Sequence, residues 1–136
     1  MSAGSGLHPA YFETHFERSE SWDDWPAEFA IVTAYATTGE SWPEAENQAA
    51  DRRLETELRR QGRWMRRLSG YSPATGHKEP GWAVAMSFQD ACDTGKRYRQ
   101  DAIYYVIGDT LFVSFCDERR GAAEIGPFRP RVHLAG

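Results

Sequence analysis

The chain has 136 residues, 40% hydrophobic and 26% charged, a composition typical of a globular protein long enough to bury a core. Its formal net charge of −4 is too small to indicate a particular class of partner. No apolar run approaches the roughly 20 residues that span a bilayer, and 2 cysteines cannot complete a four-ligand zinc site.

The N-terminal residues lack the basic and apolar regions of a secretory signal. We therefore expect a cytoplasmic protein without membrane contact, in which Cys92 and Cys116 are reduced thiols that are not bonded to each other. Residues 1–136 are expected to form one domain, and residues 1–8 are expected to be disordered.

The first half of the chain predicts a strand followed by a long helix. A short helix beginning at Pro9 precedes them, with a strand as the alternative. Residues 29–35 are apolar at nearly every position, as in a strand covered on both faces. Ser41 and Glu44 match a capping box, which predicts a helix over residues 41–61. Its buried stripe is Ala50, Leu54 and Leu58, and its stop is Gly62.

The second half predicts a helix between two pairs of strands. Ser87 repeats the cap signature with Asp90, which predicts a helix through about Arg99 with Cys92 facing inward. Gly108 supplies the positive φ that a two-residue hairpin turn requires. The expected strands are 63–68, 81–86, 101–107 and 111–116, with a polar loop over 69–80 and an extended C-terminal tail over 117–136.

This order of elements predicts an α+β fold. The succession β-α-β-β-α-β-β after an N-terminal helix suggests a mixed β-sheet with two main helices on one face. The nearest common architecture is a ferredoxin-like sandwich with additions.

Several short motifs are spread over residues 11–113. They are Tyr11 with Thr14, residues 29–35, Ser41 with Asn47, Leu54 with Leu58, Glu79, and residues 99–103. Together they resemble the DUF3293 family of small bacterial proteins, although Ala36 and Thr37 stand where that family has Asn-Pro. The resemblance implies a bacterial, cytoplasmic domain and supplies no reaction.

Asn47 is the polar residue on the predicted inward face of the long helix, because it lies seven positions before Leu54. One interpretation is a ligand contact in a crevice between the end of the first strand and the start of the helix. The other is a structural amide that hydrogen-bonds the backbone of loop 36–40. The second interpretation is favoured, since most buried polar groups are satisfied within the protein.

Four further residues could share this crevice. Glu79 lies close to Trp82, where desolvation would weaken the acidity of the carboxyl group, as in a general acid; the alternative is a solvated loop carboxylate. Gln100 either caps the second helix or points into the crevice. Thr33 and Tyr35 end the first strand, and Thr33 is also an ordinary strand residue.

Arginines are concentrated between residues 52 and 67 and alternate with carboxylates. A nucleic-acid patch is one interpretation, but this alternation is typical of a solvated helix face, so nucleic-acid binding is not expected. The 4 histidines show no ligand spacing with one another or with a cysteine, so we expect no metal and no cofactor.

Three functions follow from these patterns, in decreasing order of support. The first is binding of a small-molecule ligand by Thr33, Tyr35, Asn47, Glu79 and Gln100, with Trp82 in the pocket wall. The second is an interaction or oligomerisation module, for example a homodimer, that has no ligand pocket. The third is a hydrolase-like enzyme with Glu79 as acid or base. Convergence of the polar residues in one pocket would favour the first or the third.

Overall fold

The computed structural model describes residues 6–37 and 40–135, which form ten strands, two α-helices and two short 3₁₀ helices. The strands are β1 (His15–Arg18), β2 (Glu28–Val32), β3 (Met65–Arg67), β4 (Ser69–Tyr71), β5 (Lys78–Glu79), β6 (Trp82–Val84), β7 (Ala102–Ile107), β8 (Thr110–Phe115), β9 (Ala123–Pro127) and β10 (Val132–Leu134). The helices are α1 (Glu44–Arg60) and α2 (Phe88–Arg97), and the 3₁₀ helices are Pro9–Phe12 and Arg129–Arg131. Within the described part of the chain, neither α-helix is both long and apolar enough to cross a membrane.

The larger sheet has six strands in the order β3-β6-β2-β7-β8-β9, and every neighbouring pair is antiparallel. Both α-helices pack on one face of it. Leu54 and Leu58 of α1 and Cys92 of α2 share a buried cluster with Val32 and Val84 of the sheet. The predicted α+β class, with two main helices against one face of a sheet, is confirmed.

The opposite face of the large sheet is covered by a second sheet, which the sequence did not indicate. Its four strands have the order β10-β1-β4-β5, and β1 pairs with β10 in parallel. The mixed pairing predicted for the main sheet is therefore found in this smaller one. Between the sheets lies a second core, in which Phe128 packs against both Phe16 and Phe29.

One bent hairpin connects the two sheets. One arm of the hairpin contains β3 and then β4, and the other contains β5 and then β6. β3 pairs with β6 in the large sheet, and β4 pairs with β5 in the small sheet. Residues 69–80 are thus the tip of a hairpin and not the simple loop that was predicted. Their Gly, Pro and Ser residues are typical of the turn, and this composition gave no sign of the two short strands on either side of the turn.

The bend of this hairpin requires glycine at position 81. A Cβ atom there would lie 2.7 Å from the carbonyl oxygen of Val32 and 3.2 Å from that of Leu68. Both contacts involve backbone, which cannot move aside as a side chain would. Strands that pass from one sheet to another commonly bend in this way at a corner.

The start of α1 corrects the predicted capping box. The N-cap residue is Pro43, no side chain caps the helix, and Ser41 lies outside it. A residue before proline is pushed out of the helical region, so Trp42 cannot continue a helix that includes Ser41. The predicted burial of Ala50, Leu54 and Leu58 is confirmed, and so is the stop, since Gly62 has φ +65°.

The second half follows the prediction closely. The Ser87 hydroxyl accepts a hydrogen bond from the Asp90 amide at 3.1 Å and caps α2. Gly108, with φ +63°, turns β7 into β8. Cys92 and Cys116 are buried free thiols.

The two ends of the chain contribute short strands. Residues 1–5, 38–39 and 136 lie outside the described residues, so the expected disorder of residues 1–8 can be compared only from Gly6 onward, and there Leu7 is buried. The predicted helix at Pro9 is a single 3₁₀ turn, and Phe16 belongs to β1, in line with the alternative strand. The C-terminal segment contributes β9 and β10, with a 3₁₀ turn at Arg129–Arg131 between them.

Replacing Gly81 by alanine should destabilise the protein by about 1–3 kcal/mol, the cost of forcing atoms into a packed site. Urea unfolding measures this loss. Gly70→Ala in the facing strand β4 is the control, because its Cβ would meet Thr14 at an ordinary 3.5 Å. Equal stability of the two variants would contradict the close approach at the bend.

Candidate functional site

A cleft of ≈ 370 Å³ opens between the two sheets beside the bend of the hairpin. Its polar lining side chains come from the N-terminal 3₁₀ turn, the segment after β2, the tip of the hairpin and the start of β7. They are Tyr11, Thr14, Thr33, Thr37, Glu40, Tyr71, Ser72, Thr75, His77, Glu79, Gln100 and Tyr104. Apolar side chains that include Phe16, Ile31 and Leu68 also line the space.

Three of the five predicted site residues line this cleft: Thr33, Glu79 and Gln100. Thr33 follows β2, where its hydroxyl donates to the Pro80 carbonyl at 2.8 Å and accepts from the Tyr35 amide at 3.1 Å. These bonds turn the chain away from the sheet, which is why the strand predicted over residues 29–35 ends at Val32.

Gln100 is held in the cleft wall by the end of α2. Its backbone amide bonds the Gly95 carbonyl at 2.8 Å, and Arg99 before it has φ +60°, as at the end of a helix closed by a Schellman motif. The side-chain Nε2 donates to the carbonyls of Tyr35 at 2.6 Å and Tyr98 at 3.1 Å. These two bonds orient the amide, whose oxygen accepts no hydrogen bond from the residues that the structure describes.

Tyr104 forms the wall of the cleft that faces the N-terminal segment. Its hydroxyl lies 2.8 Å from Thr14 Oγ1 and 3.0 Å from the Tyr11 carbonyl oxygen, and Thr14 donates onward to Ala10. Burial is the main cause that raises the pKa of Tyr104 far above its usual range, so the phenol is neutral at physiological pH. Tyr104 thus docks the N-terminal segment on β7.

The described part of the lining carries negative charge without a compensating arginine or lysine. Glu79 lies in β5 with its Oε1 3.2 Å from His77 Nε2, and Glu40, whose Oε1 accepts a hydrogen bond from Trp42 Nε1 at 3.3 Å, is the second acidic residue of the lining. No arginine or lysine is among the described residues that line the cleft. Such a lining favours a neutral or cationic ligand over an anionic one.

Asn47 and Tyr35 lie outside the lining, which corrects their predicted role as ligand contacts. Asn47 is buried, with Oδ1 accepting from the Ala36 amide at 2.9 Å and Nδ2 donating to the Trp42 carbonyl at 3.5 Å. Asn47 is thus an amide that hydrogen-bonds the backbone of loop 36–40. Tyr35 donates to Glu44 at 2.8 Å, and burial together with that carboxylate raises its pKa to about 12.

Trp82 is also absent from the cleft, because it faces the helices on the other side of the large sheet. The guanidinium of Arg67 lies 3.9 Å from its ring centroid, and Arg67 forms two hydrogen bonds with Asp51. Trp82 therefore does not desolvate Glu79. The neighbours of that carboxylate are His77 and, electrostatically, Tyr104.

The site is accordingly a gap between sheets and not the predicted crevice between strand and helix, since no residue of α1 lines it. Sequence reasoning missed Tyr104, which is one of several aromatic residues in an ordinary strand pattern. It also missed His77, which lies in what looked like a loop. The spacing of His77 and Glu79 two residues apart would have indicated one face of a strand, had that strand been recognised.

Much of the arginine stretch is paired within the molecule. Salt bridges join Arg59 to Glu55, Arg63 to Asp90, Arg66 to Asp24 and Arg67 to Asp51, at 2.7–3.2 Å. These pairs neutralise four arginines of the stretch within the molecule. Among the described residues, no three His, Cys, Asp or Glu side chains are grouped so that they could hold a metal ion.

Comparison with family models gives a match over residues 32–103, 72 of the 136 residues, to the family described as "Protein of unknown function (DUF3293)". The chain belongs to the DUF3293 family. Neither the curated proteins nor the solved structures gave a match. The matched segment contains Thr33, Glu79 and Gln100 of the cleft, while Tyr11 and Thr14 precede it.

Asn47→Ala should lower the free energy of unfolding by about 1–3 kcal/mol, because the variant leaves the buried amide of Ala36 without its acceptor. Amide hydrogen exchange at Ala36 should accelerate as well. The exposed neighbour Gln48 provides the control, and Gln48→Ala should change stability by less than about 0.5 kcal/mol. Unchanged exchange at Ala36 would contradict the structural role of Asn47.

Proposed function

We propose that the cleft between the two sheets binds a small polar molecule that is uncharged or positively charged. The observation that carries the proposal is the convergence of Thr33, Glu79 and Gln100, from three separate segments, on one space. Its volume, ≈ 370 Å³, falls within the range of about 300–1,000 Å³ usual for ligand sites.

The lining suggests the chemistry of the ligand. Glu79 offers a charged acceptor, Gln100 an oriented amide, and Tyr71 and Ser72 further hydroxyl groups, while Ile31 and Leu68 supply apolar surface. A molecule with amine or hydroxyl groups on a short carbon frame would satisfy both kinds of surface. Amines, amino sugars and neutral sugars meet this description.

The interaction-module alternative has less support. Among the described residues, Ile107 and Leu134 are the exposed large apolar side chains, and single exposed apolar residues are normal on a monomer. The proposal is limited to binding, because the hydrogen bond between Glu79 and His77 identifies no reacting atom.

A thermal-shift screen of diamines, amino sugars, neutral sugars and dicarboxylates tests the proposed function. Stabilisation is expected from the first three classes, by about 2.7 kcal/mol at a concentration 100 times the Kd. Exclusive stabilisation by dicarboxylates would overturn the proposed charge preference, and a screen with no stabilising compound in the first three classes would overturn the proposal.

Glu79→Gln should weaken binding of a stabilising amine by about 10–100-fold, the contribution of a hydrogen bond to a charged group. Calorimetric titration measures the change. Glu124→Gln makes the same substitution at an exposed position on the edge strand β9 and should leave the affinity unchanged. An equal effect of both variants would indicate that Glu79 acts only through the net charge.

A further inference from the structure

A second groove, separate from the cleft, lies between the first turns of α1 and the end of α2. Its volume is ≈ 500 Å³, and none of the residues that line it also lines the cleft. Three arginines, Arg53, Arg97 and Arg99, surround it together with the aromatic rings of Trp42 and Tyr98. Glu46 is the acidic residue among its described lining.

The two helices hold these groups in different ways. Arg97 and Tyr98 at the end of α2 both donate to the Glu57 carboxylate of α1, and this pairing fixes them beside the groove. Arg53 is exposed on α1 and forms no salt bridge with a described residue. The groove therefore combines a guanidinium that is held by a carboxylate with one that is not paired to a described carboxylate.

Arg99 adds a second observation. Its φ of +60° places an arginine in the left-handed position that usually holds glycine after a helix, and it is the non-glycine residue with positive φ in the described chain. Its guanidinium has no hydrogen bond or salt bridge to the described residues. Arg99 therefore presents a guanidinium without a described partner at a position where glycine would cost less.

We propose that this groove binds a mononucleotide, with its phosphate on Arg53 and Arg99, the arginines of the groove that have no described carboxylate partner, and its base against Trp42 or Tyr98. Guanidinium groups bind phosphate oxygens in pairs of parallel hydrogen bonds, and aromatic side chains stack on bases of any sequence. The groove and the cleft thus differ in the charge they favour, since the described residues that line the cleft include glutamates and no arginine. A free nucleotide fits better than a nucleic-acid strand, because the neighbouring arginines Arg59, Arg63, Arg66 and Arg67 are already paired with carboxylates.

Calorimetric titration of the full chain with AMP, adenosine and inorganic phosphate, at about 0.15 M salt, tests the assignment. AMP is expected to bind at least about tenfold more tightly than either fragment, because only AMP uses both halves of the groove. An affinity for adenosine equal to that for AMP would overturn the phosphate contact. An affinity for inorganic phosphate equal to that for AMP would overturn the stacking contact. A single-stranded oligonucleotide that binds more tightly than AMP would overturn the mononucleotide assignment in favour of nucleic acid.

Variants of Arg53 and Arg99 distinguish binding in the groove from a general effect of positive charge. Arg53→Ala should weaken AMP binding about tenfold, whereas Arg52→Ala, its exposed neighbour outside the groove, should have little effect. Arg99→Gly removes a guanidinium and keeps a residue suited to the left-handed position, so the protein should fold normally and lose AMP affinity. Equal losses in the Arg52 and Arg53 variants, or unchanged affinity in the Arg99 variant, would overturn the proposal.

Discussion

The architecture depends on the close approach of two backbone segments where the hairpin bends. Gly81 lies against the carbonyl oxygen of Val32, at a distance that no side chain would permit. On one side of the bend the hairpin belongs to the large sheet, and on the other it belongs to the small one. The sheets are therefore tied together at one end, and the gap that opens beside this connection is the cleft.

The cleft is maintained by polar groups that bond to backbone around it. Asn47 holds the Ala36 amide, the buried Thr37 hydroxyl accepts from the Asp101 amide at 3.1 Å, and Gln100 joins the end of α2 to the Tyr35 carbonyl. Each of these groups is buried, and a buried polar group without a partner costs about 1–3 kcal/mol. The same bonds that satisfy the irregular segment after β2 thus fix the position of the residues that line the cleft.

Charge is distributed unevenly over the surface, which the small net charge of the chain does not reveal. The cleft carries Glu40 and Glu79, while the groove between the helices carries Arg53 and Arg99. Arg99 and Gln100 are consecutive in sequence but line different spaces, because the left-handed turn at Arg99 redirects the chain after α2. One helix end therefore supplies a side chain to each of two sites with opposite electrostatic preferences.

The sequence by itself determined the elements whose signals are local. The apolar stripe of α1, the Ser87 cap of α2 and the Gly108 turn depend on residues a few positions apart, so periodicity and capping rules predicted them. It also indicated Glu79 and Gln100 as polar residues at the ends of elements, and both line the cleft. Tertiary structure alone decided that the hairpin bends into a second sheet, since the constraint on Gly81 comes from Val32, 49 residues earlier in the chain. For the same reason no sequence pattern could show that Trp82 faces the helices, or that Tyr104 and His77 face the cleft: the face of a strand becomes defined only when its neighbours pack against it.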